Sequence, residues 1–409
     1  MKIWIKYLIG CSLGILMAFF LPANQAGVKI VVRFFNELTI RTGRYFLIPV
    51  LFFGMTISIT KLRETGKLLH TGLRIALCSV VITLIGTVLG IVSGLIVKLP
   101  RIPISVEKIS DPVRLDIPAR LLSLFPYNGI SGLLDGSFLL PMCVLAGFIG
   151  ASFASDNLKA KPALVLFDSL AKISYSVLSF FTDFIAIGMI AVSCSWAIVF
   201  FDILSSSSFL GLILLLLADT LIIIAGILPF LLRTLLHENR PYKVLFAALA
   251  PLIGALFSGD TNFVLALNLR HAKDSLGIRR RISTVSLPVF SIFARSGTAL
   301  VVAVSFIIVL RSYSSLDIYV SDILWLTALS FGISFCLGAF PSGGAFTALT
   351  VLCSLYGRGF ESGYLLLKPA AVIICSFAAA IDAAAALCSA YYIAQREKMI
   401  MHQELKYYI

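Results

Sequence analysis

Charge is what this chain of 409 residues lacks most. Lys, Arg, Asp and Glu make up only 13% of it, about half of the ~25% usual in soluble domains. Apolar residues make up 59%, and mean hydropathy is +1.01. That balance excludes a soluble domain and requires an integral, polytopic, helical membrane protein. Histidine is nearly absent: residues 70, 237, 271 and 402 are all expected in polar connections or the tail, as solvated side chains rather than proton relays or metal ligands. The eight cysteines (11, 78, 143, 194, 336, 353, 375 and 388) lie inside apolar runs and form no C-x-x-C pair. A metal site or disulfide framework is thereby disfavoured, and packing residues are the simpler reading. HExxH and G-x-S-x-G are missing too, so an intramembrane enzyme has no catalytic set to work with.

What is present is a series of apolar runs. The start, through Phe20, resembles a signal peptide, yet only four apolar residues separate Lys6 from Cys11 and no A-x-A site follows, so an uncleaved first span is expected. Further runs cover Tyr45–Ile59, Ile75–Val97, Phe138–Phe153, Leu164–Ile203, Phe209–Leu236, Val285–Leu310 and Ala370–Ala394. The net charge of +13 collects in alternate loops. Lys61 to Arg74, Asp156 to Lys161, Arg233 to Lys243, Arg270 to Arg281 and the tail with Arg396, Lys398 and Lys406 are basic. Asp202 to Ser208 and Arg311 to Asp322 are poor in basic residues, and the stretch from Lys29 to Arg44 breaks the trend. Basic loops mark the cytoplasmic side, so both termini are expected there, in the inner membrane of the cell. Orientation accounts for the charge without a nucleic-acid partner.

Two stretches interrupt the pattern. An apolar run stops at Phe257-Ser258-Gly259-Asp260-Thr261-Asn262 and resumes at Phe263; another stops at Phe340-Pro341-Ser342-Gly343-Gly344 and resumes at Ala345. Each half is read as too short for a hydrocarbon core of ~30 Å, which takes ~20 helical residues. Non-helical backbone at that depth needs protein or a wet cavity around it. A matched pair of Gly/Pro interruptions in two halves points to a transporter's binding site. The two stretches are therefore expected to be re-entrant hairpins with facing tips. Small tip residues would let orphan N–H groups of the restarting helices close on a carboxylate.

These motifs resemble the dicarboxylate/amino acid:cation symporter family, which includes the glutamate transporters and their prokaryotic homologues. The likeness rests on the tip Gly259-Asp260-Thr261-Asn262, the turn Gly277-Ile278-Arg279-Arg280-Arg281, Leu287-Pro288, the tip Pro341-Ser342-Gly343-Gly344, and Ala294-Arg295-Ser296-Gly297-Thr298 where the family has Asn-Met-Asp-Gly-Thr. It implies an all-α integral membrane fold of eight transmembrane helices plus two re-entrant hairpins with inverted repeats, assembled as a homotrimer among membrane lipid. In that plan 1–72 and 119–206 form a scaffold, and 73–100 with 207–396 form a transport unit. The unit holds hairpin one at 243–270, helix 7 at 284–310, hairpin two at 321–357 and helix 8 at 365–395; 397–409 is a cytoplasmic tail. The implied activity is symport of a small carboxylate, an amino acid or dicarboxylate, coupled to Na⁺ or H⁺.

The chemistry of the motifs is rewritten, however. Ala294 and Ser296 replace the family's Asn and Asp sodium ligands, and helix 8 reads Asp382-Ala383-Ala384-Ala385-Ala386-Leu387-Cys388-Ser389 with no Arg for a substrate carboxylate. Conversely, Asp260 and Arg295 are charges in the family's uncharged positions. A charge at membrane depth costs ~2.5–3.5 kcal/mol on insertion scales and is a functional candidate by default. Two readings stand side by side. Arg295 pairs internally with Asp260, Asp382 or both; or Arg295 forks onto a substrate carboxylate while Asp260 takes an amino group or cation. The expected substrate contacts are Asp260, Thr261, Asn262, Arg295, Thr298, Ser342, Gly343, Gly344, Asp382 and Ser389, with Ser296 and Thr83 as candidate ligands for a monovalent cation. Asp183 and Asp219 are either packed carboxyls or part of a proton path. No resident cofactor is expected. Proton-coupled, uncoupled or exchange flux, with Arg295 in a sodium's role, and a non-transporting sensor or anion channel are the alternatives.

Overall fold

The computed structural model describes all residues except 1, 22–25, 103–116, 156, 206–207, 314–318, 402, 404–407 and 409. Asp156, His402, Lys406 and most of the 99–118 loop lie outside the described residues. The elements, in chain order, are α1 (Ile3–Phe20), α2 (Ala26–Tyr45), α3 (Leu47–Glu64), α4 (Leu68–Ile96), α5 (Ile117–Leu122), α6 (Ser131–Leu134), α7 (Leu140–Ser155) and α8 (Asn157–Ser205). They continue with α9 (Leu210–Leu221), α10 (Leu228–Leu236), α11 (Tyr242–Ser258), α12 (Thr261–Asp274), α13 (Arg280–Phe293), α14 (Ser296–Tyr313), α15 (Val320–Cys336), α16 (Gly344–Tyr356) and α17 (Ala371–Arg396). Among the described residues there is no β-strand.

Proline places several of the irregularities. Pro49 has no N–H for the Tyr45 carbonyl, and the helix turns once at Phe46 between α2 and α3. Pro229 likewise leaves the Ala225 carbonyl without its helical donor, and a π-helical turn, Ile222–Ile227, joins α9 to α10. The Tyr242 hydroxyl donates to that carbonyl instead (3.2 Å).

Eight helical stretches among the described residues are long and apolar enough to cross a bilayer, the build of a multi-pass membrane protein. They do not map one to one on the expected runs. Leu140–Ser155, the expected fourth span, has only 16 residues, whereas Val320–Ala339, the first arm of hairpin two, reaches 20 and is not too short. The stretch from Lys29 to Arg44 is not a loop: α2 carries it into the span Gly27–Glu64. Its apolar residues recur with helical spacing (Val28, Val31, Val32, Phe35), and charge every few residues masks the run. Arg270 and His271 also leave the expected loop. Both are buried in the last turn of α12.

Burial separates an inner from an outer set. Arg280–Tyr313 and α17 are almost wholly buried, whereas only about a third of α1 is. Inside, α14 packs against α4, α16 and α17, and α11 and α12 pack against one another and on α17. Outside, α1 and α2 lie on α8, and α3 lies on α7, α8 and α13. After α17 the chain turns back, and Ile400 bridges Ile278 beside Gly277.

Candidate functional site

Three chain breaks face one another around α17. The first separates α11 from α12. Gly259 closes α11 in the left-handed conformation (φ 60°), its N–H on the Ala255 carbonyl, a backbone shape that favours glycine. Asp260 then opens α12 as its N-cap, accepting from the Phe263 N–H at 2.8 Å. The second break runs from Phe340 through Gly343 (φ 74°) to the start of α16. The expectation that the tips face one another is met by direct contact. Asp260 and Ser342 form an antiparallel bridge, and the Thr261 N–H and Oγ1–H both donate to the Pro341 carbonyl, at 2.9 and 3.2 Å.

The third break, at Ala294–Arg295, divides what reads in sequence as one run into α13 and α14. Its backbone groups are satisfied from other helices. Asp382 on α17 accepts from the N–H groups of Gly297 (2.7 Å) and Thr298 (3.4 Å), and from the Thr298 hydroxyl (2.7 Å). A carboxylate thus caps the N-terminus of α14 from a neighbouring helix, where the dipole favours it. On the other side of the break the Thr83 hydroxyl donates to the Phe293 carbonyl at 3.4 Å. A side chain at Gly297 has no space here: its Cβ would lie 2.3 Å from the Ala378 carbonyl oxygen and 2.5 Å from Ile381 Cβ. Gly297→Ala is expected to cost about 1–3 kcal/mol by overpacking, read as a lowered midpoint of thermal unfolding. An unchanged midpoint would mean that α14 and α17 separate freely.

Arg295 occupies the break itself. Only 2% of it is exposed, and its Nε, fully buried, has no hydrogen-bond partner. Neither Asp260 nor Asp382 lies within the 4 Å of an ion pair, so the expected internal pairing is not what the structure holds. The guanidinium borders the second tip: a Cβ on Gly344 would stand 3.8 Å from Arg295 Nη1. An unpaired, desolvated guanidinium beside the N-terminus of α16 combines a fork shaped for a carboxylate with a helix end whose dipole favours negative charge.

Asp260 is taken by another cation. Arg44, in the last turn of α2, pairs with it through Nε to Oδ1 at 3.0 Å and through Nη2 to Oδ2. Sequence reasoning missed Arg44, although an arginine just before the apolar run of α3 was the available signal. Asn262 is committed as well, its amide donating to the carbonyls of Gly136 (3.2 Å) and Ser137 (3.0 Å). The remaining expected contacts divide. Thr261, Ser342, Gly343 and Gly344 lie at the two tips; Thr298 and Asp382 hold each other. Ser389 lies about 10 Å further along α17, at 1.5 Å per residue, and lines a different cavity with Cys78 and Leu232. Ser296 keeps a buried hydroxyl without a partner.

Beside the tips is a small cavity of about 10 Å³, lined by Thr261, Val264, Leu265, Asn268, Ser291, Asp382 and alanines of α17, room for roughly one water. Asn268 Oδ1 is buried and unpartnered. The cavity is too small for a carboxylate. Elsewhere Asp219 accepts from Ser93 (2.8 Å), and Asp183 pairs with Arg270 (3.1 Å) and Lys6 (3.6 Å). Both are partnered carboxyls. Arg270, which also donates to the Ser179 carbonyl (2.8 Å), is no solvated loop residue. Among the described residues no cluster of three His, Cys, Asp or Glu could hold a metal.

A family model, the sodium:dicarboxylate symporter family, matches residues 3–396. Among curated proteins none matches the chain.

Proposed function

The chain belongs to the sodium:dicarboxylate symporter family, and from that premise we propose that it is a secondary transporter of a small carboxylate. The cargo, an amino acid or dicarboxylate, binds between the tips of two re-entrant hairpins, α11–α12 and α15–α16, with eight transmembrane helices around them. One observation carries this reading: two broken helices meet tip to tip beside a buried guanidinium that has no partner of its own. Arg295 forks onto the carboxylate, and the small residues Ser342, Gly343 and Gly344 let backbone N–H groups approach it. Thr261 and Thr298 flank the cargo, and Asp382 keeps the break open by capping α14. Residues 1–72 and 119–206 form the scaffold. The unit of 73–100 and 207–396 moves past it with the cargo, in a homotrimer of the cell's inner membrane with both termini cytoplasmic.

Coupling has two readings, each with an observation behind it. The unpartnered hydroxyl of Ser296, with Thr83 beside the same break, favours a monovalent cation travelling with the cargo. The Arg295 charge favours the other: a resident cation stands where Na⁺ would bind, and flux runs on a proton gradient or by exchange. We take the second, because Ala294 and Ser296 offer no carboxylate to a sodium ion.

The test is uptake into proteoliposomes of a panel of carboxylates and amino acids, with Na⁺ and pH gradients imposed separately. Saturable uptake of a carboxylate, indifferent to a Na⁺ gradient, is expected. Na⁺-driven uptake would remove Arg295 from the sodium role and leave the transporter standing. Binding without uptake would make the protein a sensor, and neither would end the carboxylate reading.

A further inference from the structure

We propose that Asp260 is an exchangeable cation site whose resting occupant is Arg44, and that the hairpin-one tip leaves this position only when a small monovalent cation or a primary ammonium group replaces that side chain. The inference deepens the transporter reading and rests on it for the division into scaffold and moving unit; the ion pair itself does not.

The two partners are unequally placed. Asp260 is 1% exposed, whereas 23% of the Arg44 side chain lies at the protein surface. Arg44 belongs to α2, on the outer set of helices, and Asp260 caps α12 at the centre. Separating the two would leave the carboxylate buried with one backbone donor, the Phe263 N–H. A buried charge that loses its partner is strongly disfavoured, more so than an exposed one. Arg295 does not take over, since it makes no ion pair with Asp260, and among the described residues no other cation is within 4 Å of that carboxylate. A carboxylate is a hard oxygen ligand that suits an alkali cation or an ammonium. Arg44 is thus a tethered competitor for a site that the moving unit carries with it.

The experiment is hydrogen–deuterium exchange of the full-length protein, followed at the amides of Thr261 and Phe263. Wild type, Arg44→Gln, Arg44→Lys and Asp260→Asn are compared in choline, sodium and methylammonium chloride at equal ionic strength. In choline, Arg44→Gln should exchange about 100-fold faster than wild type, the equivalent of ~3 kcal/mol, while Arg44→Lys stays protected. Methylammonium alone re-protecting Arg44→Gln identifies a cargo ammonium as the replacement, in keeping with Na⁺-independent uptake; sodium doing so identifies a free cation and would overturn that coupling while keeping the exchangeable site. Asp260→Asn should respond to neither. The proposal is overturned if Arg44→Gln is as protected as wild type, if no cation restores protection, or if Asp260→Asn shows the same cation response. A thermal unfolding midpoint for each variant separates a freed tip from a misfolded chain. Because the readout is tip protection, a protein that moves no carboxylate would leave this inference intact, and working transport with unchanged exchange would sink this inference alone.

Discussion

Arg295→Gln is expected to weaken carboxylate binding by about 2–5 kcal/mol, the cost of removing one partner of a buried charged contact, or roughly 30-fold or more, while the protein keeps its fold. The second half of that expectation is the diagnostic one. A guanidinium in a closed structural network would take its hydrogen bonds with it when removed, and the fold would weaken. Arg295 has no ion pair, and its Nε is buried without a partner, so the free protein holds a desolvated charge that it would shed without loss. Thermal unfolding of the unliganded variant should therefore match or exceed wild type, and the ligand-dependent rise in midpoint should vanish. Arg295→Lys keeps the charge and loses the fork, and should recover only part of the affinity. A variant that unfolds early yet binds carboxylate normally would make Arg295 a structural residue and leave the site without its anchor.

Asp382→Ala is expected to have the largest effect on stability, about 3–5 kcal/mol. The carboxylate is 5% exposed and accepts from two backbone N–H groups and one hydroxyl at the start of α14. Removing it strands those donors. Asp382→Asn should cost less, because its oxygen still accepts from Gly297. The double variant Asp382→Asn/Arg295→Gln should be more stable than Asp382→Asn alone, since it no longer buries a guanidinium at a break that has lost its carboxylate. Unfolding midpoints of the four proteins measure this coupling. Additive losses would show that Asp382 serves only as a cap.

Of the two tips, hairpin one is the more completely legible from sequence. Ser258-Gly259-Asp260 interrupts an apolar run with a residue that turns left-handed and one that caps a helix, and there α11 ends and α12 begins. Hairpin two is legible at its tip and not in its first arm, because α15 and its last 3-10 turn reach 20 residues, the length that elsewhere signals a span. The break at Ala294–Arg295 carries no Gly or Pro of its own. The sequence carries helix 7 through it unbroken at 284–310, and the carboxylate that caps it, Asp382, is 87 residues away in chain numbering. Asp260 was the least legible of all. Nothing near it in the chain names its partner, and Arg44 sits 216 residues earlier.

What the amino-acid order determined by itself is therefore the solvent and the punctuation: an apolar chain for a bilayer, and the points where its helices stop. Both follow from local physics, because burial of a run depends on its own composition, and a helix ends where its own residues cannot continue the hydrogen-bond ladder. Only the tertiary structure decided which charges meet. Asp260, Asp382, Arg44 and Arg295 are chemically able to pair in several ways, and an ion pair forms only between groups that packing brings within about 4 Å. Packing gave Asp260 to Arg44, gave Asp382 to the start of α14, and left one guanidinium buried and free.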